Sequence, residues 1–334
     1  MKNSTTLFLL FVFLVQFGCT ENEKNSSPLP DRQEGYINAG NDVRLFYRLL
    51  GSGPDTLVII HGGPGLTMDY FLEDLAPLAE HHALLFYDQR GTGRSTLVSD
   101  SISLTAQRFV EDVEAIRKHF SIGRFELLGH SWGTAIAALY AMQYPQHLNR
   151  MINVGVLPLQ QYQLIDAFKQ MEAKRDSSKL KRMNALRTAR LADPANSELC
   201  TAYYTIWFEP FFGNKNKTNR SKGDFCAGTL ESRRNKMLSV DKFTMASLGQ
   251  WDWRSTLAQV KIPTLIIHGT MDPLPSEGAK AWASVLSNGQ LLLLDGVGHF
   301  PYVEVPEQFF EEVDNFLRED LLLLSSIVLR SNNL

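Results

Sequence analysis

Residues 127–134 combine the residue types and spacing needed for nucleophilic catalysis. An apolar run ends in Gly-x-Ser-x-Gly at 129–133, and small residues typical of a helix follow directly. This pattern predicts a strand, a sharp turn and a helix, with the hydroxyl of Ser131 exposed on the turn. Glycine is expected at 129 and 133 because a side chain there collides where strand and helix meet. We interpret Ser131 as a nucleophile rather than a structural serine.

A serine nucleophile requires a base, and that base is usually a histidine oriented by a carboxylate. When the serine sits on such a turn, the expected chain order is serine, acid, histidine. Asp272 follows an apolar segment at 263–268, and His299 follows another at 290–294. Taken alone, Asp272 also fits an Asp-Pro turn and His299 a surface loop. Three residues in the expected order favour a catalytic triad.

The negative charge that develops during acyl transfer needs two hydrogen-bond donors. One predicted donor is the backbone N–H of Trp132, the residue after the nucleophile. The second is expected from the His-Gly-Gly-Pro-Gly loop at 61–65, which follows an apolar strand. Within this loop we favour Gly63, with Gly62 as the next candidate.

Motifs for other chemistries are absent from the sequence. It contains no His-Glu-x-x-His and no cluster of cysteine and histidine, so no metal site is predicted. It also lacks a phosphate-binding loop and a dinucleotide glycine pattern, so no cofactor is expected. His61 and His130 are interpreted as structural residues on the pocket floor.

Alternating apolar strands and helices must position these residues. Apolar runs at 57–60, 83–87 and 151–155 read as buried strands. Residues 68–80 read as a helix, and 104–120 reads as an amphipathic helix. This alternation predicts an α/β fold with a mostly parallel sheet covered by helices on both faces. The hydrolase core is predicted in two parts, 34–157 and 251–318.

Residues 158–250 show a different pattern. They contain no buried strand, and amphipathic helices are predicted at 161–175, 178–191 and 197–208. We interpret this segment as a helical domain inserted into the core and call it the cap. Residues 319–334 form an apolar tail to which the sequence assigns no role.

The composition and net charge narrow the classes of function that the chain could have. The chain has 334 residues, of which 44% are hydrophobic and 21% charged, as is typical of a globular protein. The net charge of −3 and the absence of long basic runs argue against nucleic acid as a partner. The expected partner is a small substrate.

The N-terminus predicts export. Residues 1–18 resemble a lipoprotein signal peptide, after which Cys19 becomes the lipidated first residue, and 19–33 reads as a polar tether. A plain secretory signal is the alternative. The first interpretation places the protein on a membrane, facing the periplasm or cell surface. The remaining cysteines, Cys200 and Cys226, are either a disulfide or two buried thiols.

These motifs together resemble the proline iminopeptidase family of α/β-hydrolases. The resemblance rests on 61–65, on Asp-Gln-Arg-Gly-Thr-Gly-Arg-Ser at 88–95 and on the triad, and it spans about 35–318. It implies an α/β-hydrolase fold with an inserted cap and the release of an N-terminal residue, often proline, from peptides. Asp88 and Arg94 are expected to tie their turn together.

The resemblance also implies a cap glutamate that holds the free amine of the substrate. Glu209 is the best candidate, and neighbouring aromatics such as Phe211 would form the wall of a proline-sized pocket. Weaker candidates are Glu198, Asp224 and Glu231. Two alternatives stay open: an esterase or lactonase that uses the same triad without amine recognition, and a ligand-binding homologue with slow turnover.

Overall fold

The structure is a computed structural model that describes the backbone of residues 32–53 and 55–331, and the side chains of residues 33–53 and 55–318. The predicted signal peptide and Cys19 lie outside the described residues. Eight strands form one sheet. They are β1 (Arg32–Asn38), β2 (Arg44–Leu50), β3 (Thr56–Ile60), β4 (Ala83–Tyr87), β5 (Phe125–His130), β6 (Leu148–Val154), β7 (Thr264–Gly269) and β8 (Gly289–Leu294).

Helices connect and cover these strands. The α-helices are α1 (Leu72–Leu75), α2 (Ala106–His119), α3 (Trp132–Gln143), α4 (Gln161–Ala173), α5 (Ser177–Ala192), α6 (Ser197–Phe208), α7 (Leu230–Asn235), α8 (Asp241–Ser247), α9 (Arg254–Leu257), α10 (Ser276–Val285), α11 (Pro301–Glu304) and α12 (Pro306–Ser331). A π-helical turn at Lys236–Val240 joins α7 to α8. Short 3₁₀ turns lie at Met68–Tyr70, Ala76–Glu80, Pro145–His147, Glu209–Phe211 and Lys215–Arg220.

The sheet has the order β1-β2-β4-β3-β5-β6-β7-β8. Strand β2 pairs antiparallel with β1 and with β4. In the rest of the sheet order, from β4 through β3 to β8, every neighbouring pair is parallel. The predicted mostly parallel sheet is therefore confirmed. Because parallel strands point the same way, the loops that follow β3, β5, β6, β7 and β8 meet at one edge.

Both faces of the sheet are buried, as the apolar strands predict. Leu127 and Leu128 are neighbours on β5, yet they belong to separate buried clusters on opposite faces. One cluster includes Phe109 of α2, and the other includes Phe309 of α12. Two helical layers thus hold the central strand that ends at Ser131.

The cap segment between β6 and β7 folds into α4 to α8. Its first three helices lie within a few residues of the predicted ranges, because their apolar positions recur at helical spacing. A disulfide joins Cys200 on α6 to Cys226, with 6.0 Å between the Cα atoms. It connects α6 to the loop that carries Phe225.

Three predicted boundaries differ from the structure. The sequence suggests one helix over 68–80, but the chain forms two 3₁₀ turns around α1, and Pro77 supplies no backbone N–H. Strand β1 begins at Arg32, two residues inside the predicted tether. Helix α12 continues to Ser331, so the backbone of the predicted tail belongs to the last helix up to that residue.

Candidate active site

The backbone of Ser131 adopts a conformation that L-residues rarely take. Its φ is +55° and its ψ is −120°, at the point where β5 turns into α3. The Ser131 N–H donates to the carbonyl of Val154 at 2.9 Å, which fixes the turn to the end of β6. A Cβ on Gly133 would lie 2.3 Å from the carbonyl oxygen of Ile60, so α3 can approach β3 only with glycine there. The predicted turn geometry follows from these contacts.

The structure brings Asp272 and His299 together at the same sheet edge. Nδ1 of His299 lies 2.6 Å from Oδ2 of Asp272, and both side chains are almost completely buried. The other carboxylate oxygen accepts the N–H of Leu274 at 2.8 Å. Burial would raise the pKa of Asp272, but the neighbouring imidazoles of His299 and His268 outweigh it and lower that pKa. Asp272 is therefore a fixed carboxylate that orients the His299 ring.

The loop of His299 is held by the cap and by α11. The N–H of His299 donates to the carbonyl of Phe211 at 2.7 Å, and the Phe211 ring packs edge-on against the imidazole at 5.2 Å. Buried Glu304 accepts the N–H of Gly298 at 2.8 Å and that of Asn214 at 3.0 Å. Phe211, predicted as a pocket wall, thus contacts the candidate base directly.

Gly155 makes room for the candidate base. It follows β6 with φ at +58°, and a Cβ on it would lie 2.7 Å from Cε1 and Nδ1 of His299. Sequence analysis missed this residue, although a glycine at the end of a strand next to the serine strand was a usable signal. The imidazole occupies space that any side chain at 155 would fill.

A buried hydrogen-bond chain links the 61–65 loop to the His299 loop. Nε2–H of His130 donates to the carbonyl of His299 at 3.0 Å, so Nδ1 of His130 accepts from the Tyr70 hydroxyl. The same hydroxyl accepts the N–H of Gly62 at 2.8 Å. Burial lowers the pKa of His130 to about 3, which keeps its ring neutral. Tyr70 was missed because nothing in its local sequence distinguishes it from a core residue.

His61 and Gln89 connect the two loops from which oxyanion donors were predicted. Burial lowers the pKa of His61 to about 4, and its Nε2 accepts the N–H of Gln89 at 3.1 Å. The Gln89 side chain donates to the carbonyl of His61 at 2.7 Å and accepts the indole N–H of Trp132 at 3.1 Å. Asp88 and Arg94 tie their turn together at 2.8 Å. All these contacts are structural.

Glu209 lies in a different environment from the predicted one. Its carboxylate forms ion pairs with Nζ of Lys179 at 2.6 Å and Nζ of Lys215 at 2.9 Å. These two contacts lower the pKa of Glu209. The charge is thus already matched within the cap, which does not favour Glu209 as the anchor of a substrate amine. Local sequence could not reveal this pairing, because Lys179 lies on another helix.

Aromatic side chains of the cap surround the His299 loop. Phe225 packs against Phe208 at 4.3 Å and stacks on Tyr70 at 5.4 Å, and Phe208 contacts Phe300 at 5.7 Å. The arrangement of these aromatic rings suits an apolar group next to a carbonyl.

Among the described residues, no group of His, Cys, Asp and Glu is arranged to hold a metal ion. Nor does the described chain contain a helix long and apolar enough to cross a membrane.

Comparison with known proteins shows the family to which the fold belongs. The family model for the alpha/beta hydrolase fold matches residues 55–306. The chain is 26% identical to a proline iminopeptidase of Heyndrickxia coagulans, over 85% of this chain and 98% of that one. It is 29% identical to a proline iminopeptidase of Saccharolobus solfataricus, over 85% of this chain and 92% of that one.

Solved structures show the same fold. A proline iminopeptidase from Mycobacterium smegmatis superposes with a TM-score of 0.65 and 20% identity, covering 87% of this chain and 100% of that one. An esterase from Exiguobacterium antarcticum superposes with a TM-score of 0.64 and 18% identity, covering 86% of this chain and 100% of that one. At this identity the two structures show a shared fold and do not distinguish between peptide and ester substrates.

Gly155→Ala tests whether the imidazole depends on the space beside it. We expect kcat/KM for a test ester such as 4-nitrophenyl acetate to fall on the order of 100-fold, because the new methyl group displaces the His299 ring. Gly249→Ala is the matched control, since Gly249 has φ at +57° and open space around its Cβ position. Both variants should lose about 1–2 kcal/mol of stability from the left-handed backbone. Equal activity of the two variants would contradict the interpretation.

Proposed function

Because the chain belongs to the α/β-hydrolase fold family, we propose that it is a serine hydrolase with Ser131 as nucleophile, His299 as base and Asp272 as the orienting acid. The observation that carries this proposal is the buried contact of 2.6 Å between His299 and Asp272. It lies at the sheet edge where Ser131 occupies its strained turn. The order of the three residues along the chain is the one expected for this family.

In the proposed reaction, Oγ of Ser131 attacks the carbonyl carbon of the substrate and passes its proton to Nε2 of His299. The imidazolium protonates the leaving amine or alcohol, and the acyl group stays on Ser131. Water then loses a proton to His299 and attacks the acyl carbon. The bond from that carbon to Oγ of Ser131 breaks, His299 returns the proton to Oγ, and the acid is released. Asp272 stays ionised and stabilises the imidazolium in both steps.

We assign stabilisation of the oxyanion in each step to the backbone N–H groups of Trp132 and Gly63. Helix α3 begins at Trp132, so this N–H has no acceptor within the helix and carries the positive end of the helix dipole. In the loop after β3, Tyr70 already accepts the N–H of Gly62. The N–H of Gly63 makes no hydrogen bond within the described part of the chain. This difference favours Gly63 over Gly62.

The first candidate substrate is a peptide with proline, or another small residue, at its N-terminus. The two relatives named proline iminopeptidase match nearly their whole length, which supports this choice. The cap also supports it, because Phe211 packs against His299 and Phe225 stacks nearby, and aromatic faces suit a pyrrolidine ring.

A second candidate is hydrolysis of esters or lactones without amine recognition. One observation favours it: the carboxylate of Glu209 is occupied by Lys179 and Lys215. With both lysines bound to it, Glu209 has no free carboxylate with which to hold an ammonium group. The proposed triad would act in the same way on either substrate.

Covalent labelling tests the nucleophile. A fluorophosphonate probe should label the wild-type protein, and Ser131→Ala should abolish labelling because the attacking oxygen is gone. His299→Ala should slow labelling at least about 100-fold. Ser284→Ala, at an exposed serine of α10, serves as the control and should label like wild type. A folded wild-type protein that stays unlabelled would overturn the proposed mechanism.

Substrate pairs test the aminopeptidase proposal. We expect hydrolysis of prolyl-4-nitroanilide, with a kcat/KM at least about tenfold lower for the N-acetylprolyl analogue, whose amine is blocked. Glu209→Gln should change both values by less than about threefold, because the lysines already hold its carboxylate. Hydrolysis of 4-nitrophenyl acetate alone would replace the first candidate by the second.

We also propose that the protein acts outside the cytoplasm, attached to a membrane through a lipid on Cys19. The apolar segment at 7–15 supports export, and so does the disulfide between Cys200 and Cys226, since disulfides persist in oxidising compartments. We expect the protein to incorporate labelled palmitate and to lose that label in Cys19→Ser. Unchanged labelling of the variant would refute lipidation at this cysteine.

A further inference from the structure

A pocket between the loop after β3 and the cap is lined by three cations. Residues 65–67 form one side, and Arg190, Arg233 and Lys236 line the cap side together with Tyr204. No carboxylate lines it among the described residues. We call this the cationic pocket. It encloses about 10 Å³, room for roughly one water-sized group.

Within the described ranges, the three cations of this pocket form no direct ion pair. Nε and Nη1 of Arg233 are buried and form no hydrogen bond within the part of the chain that is described. Arg190 is 5% exposed and lies over the rings of Tyr203 and Tyr204, with the Cys200 sulfur 3.8 Å from Nη2. Buried guanidinium nitrogens without acceptors are costly. An acceptor that enters from outside would remove that cost.

Lys236 completes the positive environment. Its Nζ donates to the Tyr204 hydroxyl at 2.6 Å. The Asp241 carboxylate interacts electrostatically with Lys236, but the two form no direct ion pair among the described contacts. Burial would raise the pKa of Tyr204, but the Lys236 and Arg190 cations outweigh burial and lower that pKa. Lys236 also begins the π-helical turn between α7 and α8, a feature common at binding sites.

The cationic pocket lies close to the proposed nucleophile. A Cβ on Gly62 would lie 3.0 Å from Cβ of Ser131, and a Cβ on Gly65 would lie 2.7 Å from Cγ of Lys236. Three residues span at most about 11 Å, which bounds the distance from Gly62 to Gly65. A substrate a few residues long, or of similar length, could therefore reach from a carbonyl at Ser131 into the pocket.

We propose that the cationic pocket binds a carboxylate carried by the substrate. Arg233 and Arg190 would hold its oxygens by charge-assisted hydrogen bonds, and Lys236 would shift from Tyr204 to reach it. The pocket has room for about one carboxylate oxygen, and a bulkier phosphate group would not fit. This inference rests on the proposed function and refines its substrate: either a dipeptide with a free C-terminus or a half-ester of a short dicarboxylic acid.

Two matched substrate pairs test the proposal and distinguish the sources. One pair is prolylalanine and prolylalaninamide; the other is the mono-4-nitrophenyl ester of adipic acid and its neutral carbamoyl analogue. We expect the carboxylate member of at least one pair to have a kcat/KM on the order of tenfold higher. The pair that shows the preference identifies whether the bound carboxylate is the C-terminus of a dipeptide or the free acid of a half-ester. Equal values in both pairs would overturn the proposal.

Variants connect this preference to the pocket. Arg233→Gln should reduce the carboxylate preference on the order of tenfold, whereas Arg234→Gln, at an exposed neighbour on α7, should retain it. Lys236→Gln should also reduce the preference, and it serves as the second test if Arg233→Gln does not fold. A preference that survives both pocket variants would contradict the assignment.

A binding measurement separates this inference from the proposed chemistry. Calorimetry with Ser131→Ala protein should show binding of glutarate but at least about tenfold weaker binding of glutaramide. Adding Arg233→Gln should abolish the difference. If the wild type hydrolyses nothing but this difference is present, the proposed function fails and the carboxylate site stands. If hydrolysis occurs without the difference, the site fails and the proposed function stands.

Discussion

The strained backbone of Ser131 is the constraint on which the site depends. A residue in such a sparsely populated region costs about 1–3 kcal/mol, so the surrounding structure must hold it. Three strands do this: β5 enters the turn, β6 supplies the carbonyl of Val154, and the end of β3 packs against Gly133. The buried parallel sheet is thus the support that keeps one serine in an unfavourable geometry.

The histidine side of the site depends on the cap as much as on the sheet. The backbone N–H of His299 bonds to Phe211 of the cap, and its carbonyl accepts a hydrogen bond from His130 of the core. Glu304 binds N–H groups from both segments. The cap and the loop that carries the candidate base therefore share hydrogen bonds. A change in the position of residues 211–214 would be expected to move the imidazole.

The sequence predicted the parts of the molecule that have local signals. Apolar runs located the strands, helical spacing located the cap helices, and the glycines around Ser131 located the turn. The contacts of Tyr70 and Glu209 had no such signal, because they depend on residues distant in the chain. Gly155 was visible as a glycine at a strand end, but its contact with His299 was not. The ion pair of Glu209 with Lys179 joins two helices of the cap, and the space beside Gly155 is filled by a ring from residue 299. Tertiary packing alone decides such contacts.

The split of the site along the chain has a consequence for biosynthesis. The contact between His130 and His299 joins positions 169 apart, and the candidate base follows the last strand, β8. A chain interrupted anywhere between α3 and β8 contains the whole serine turn and lacks its candidate base. Contacts of such long range form late in folding, because the loop between them must close first. Hydrolytic activity would therefore arise only after the ribosome has completed the sheet.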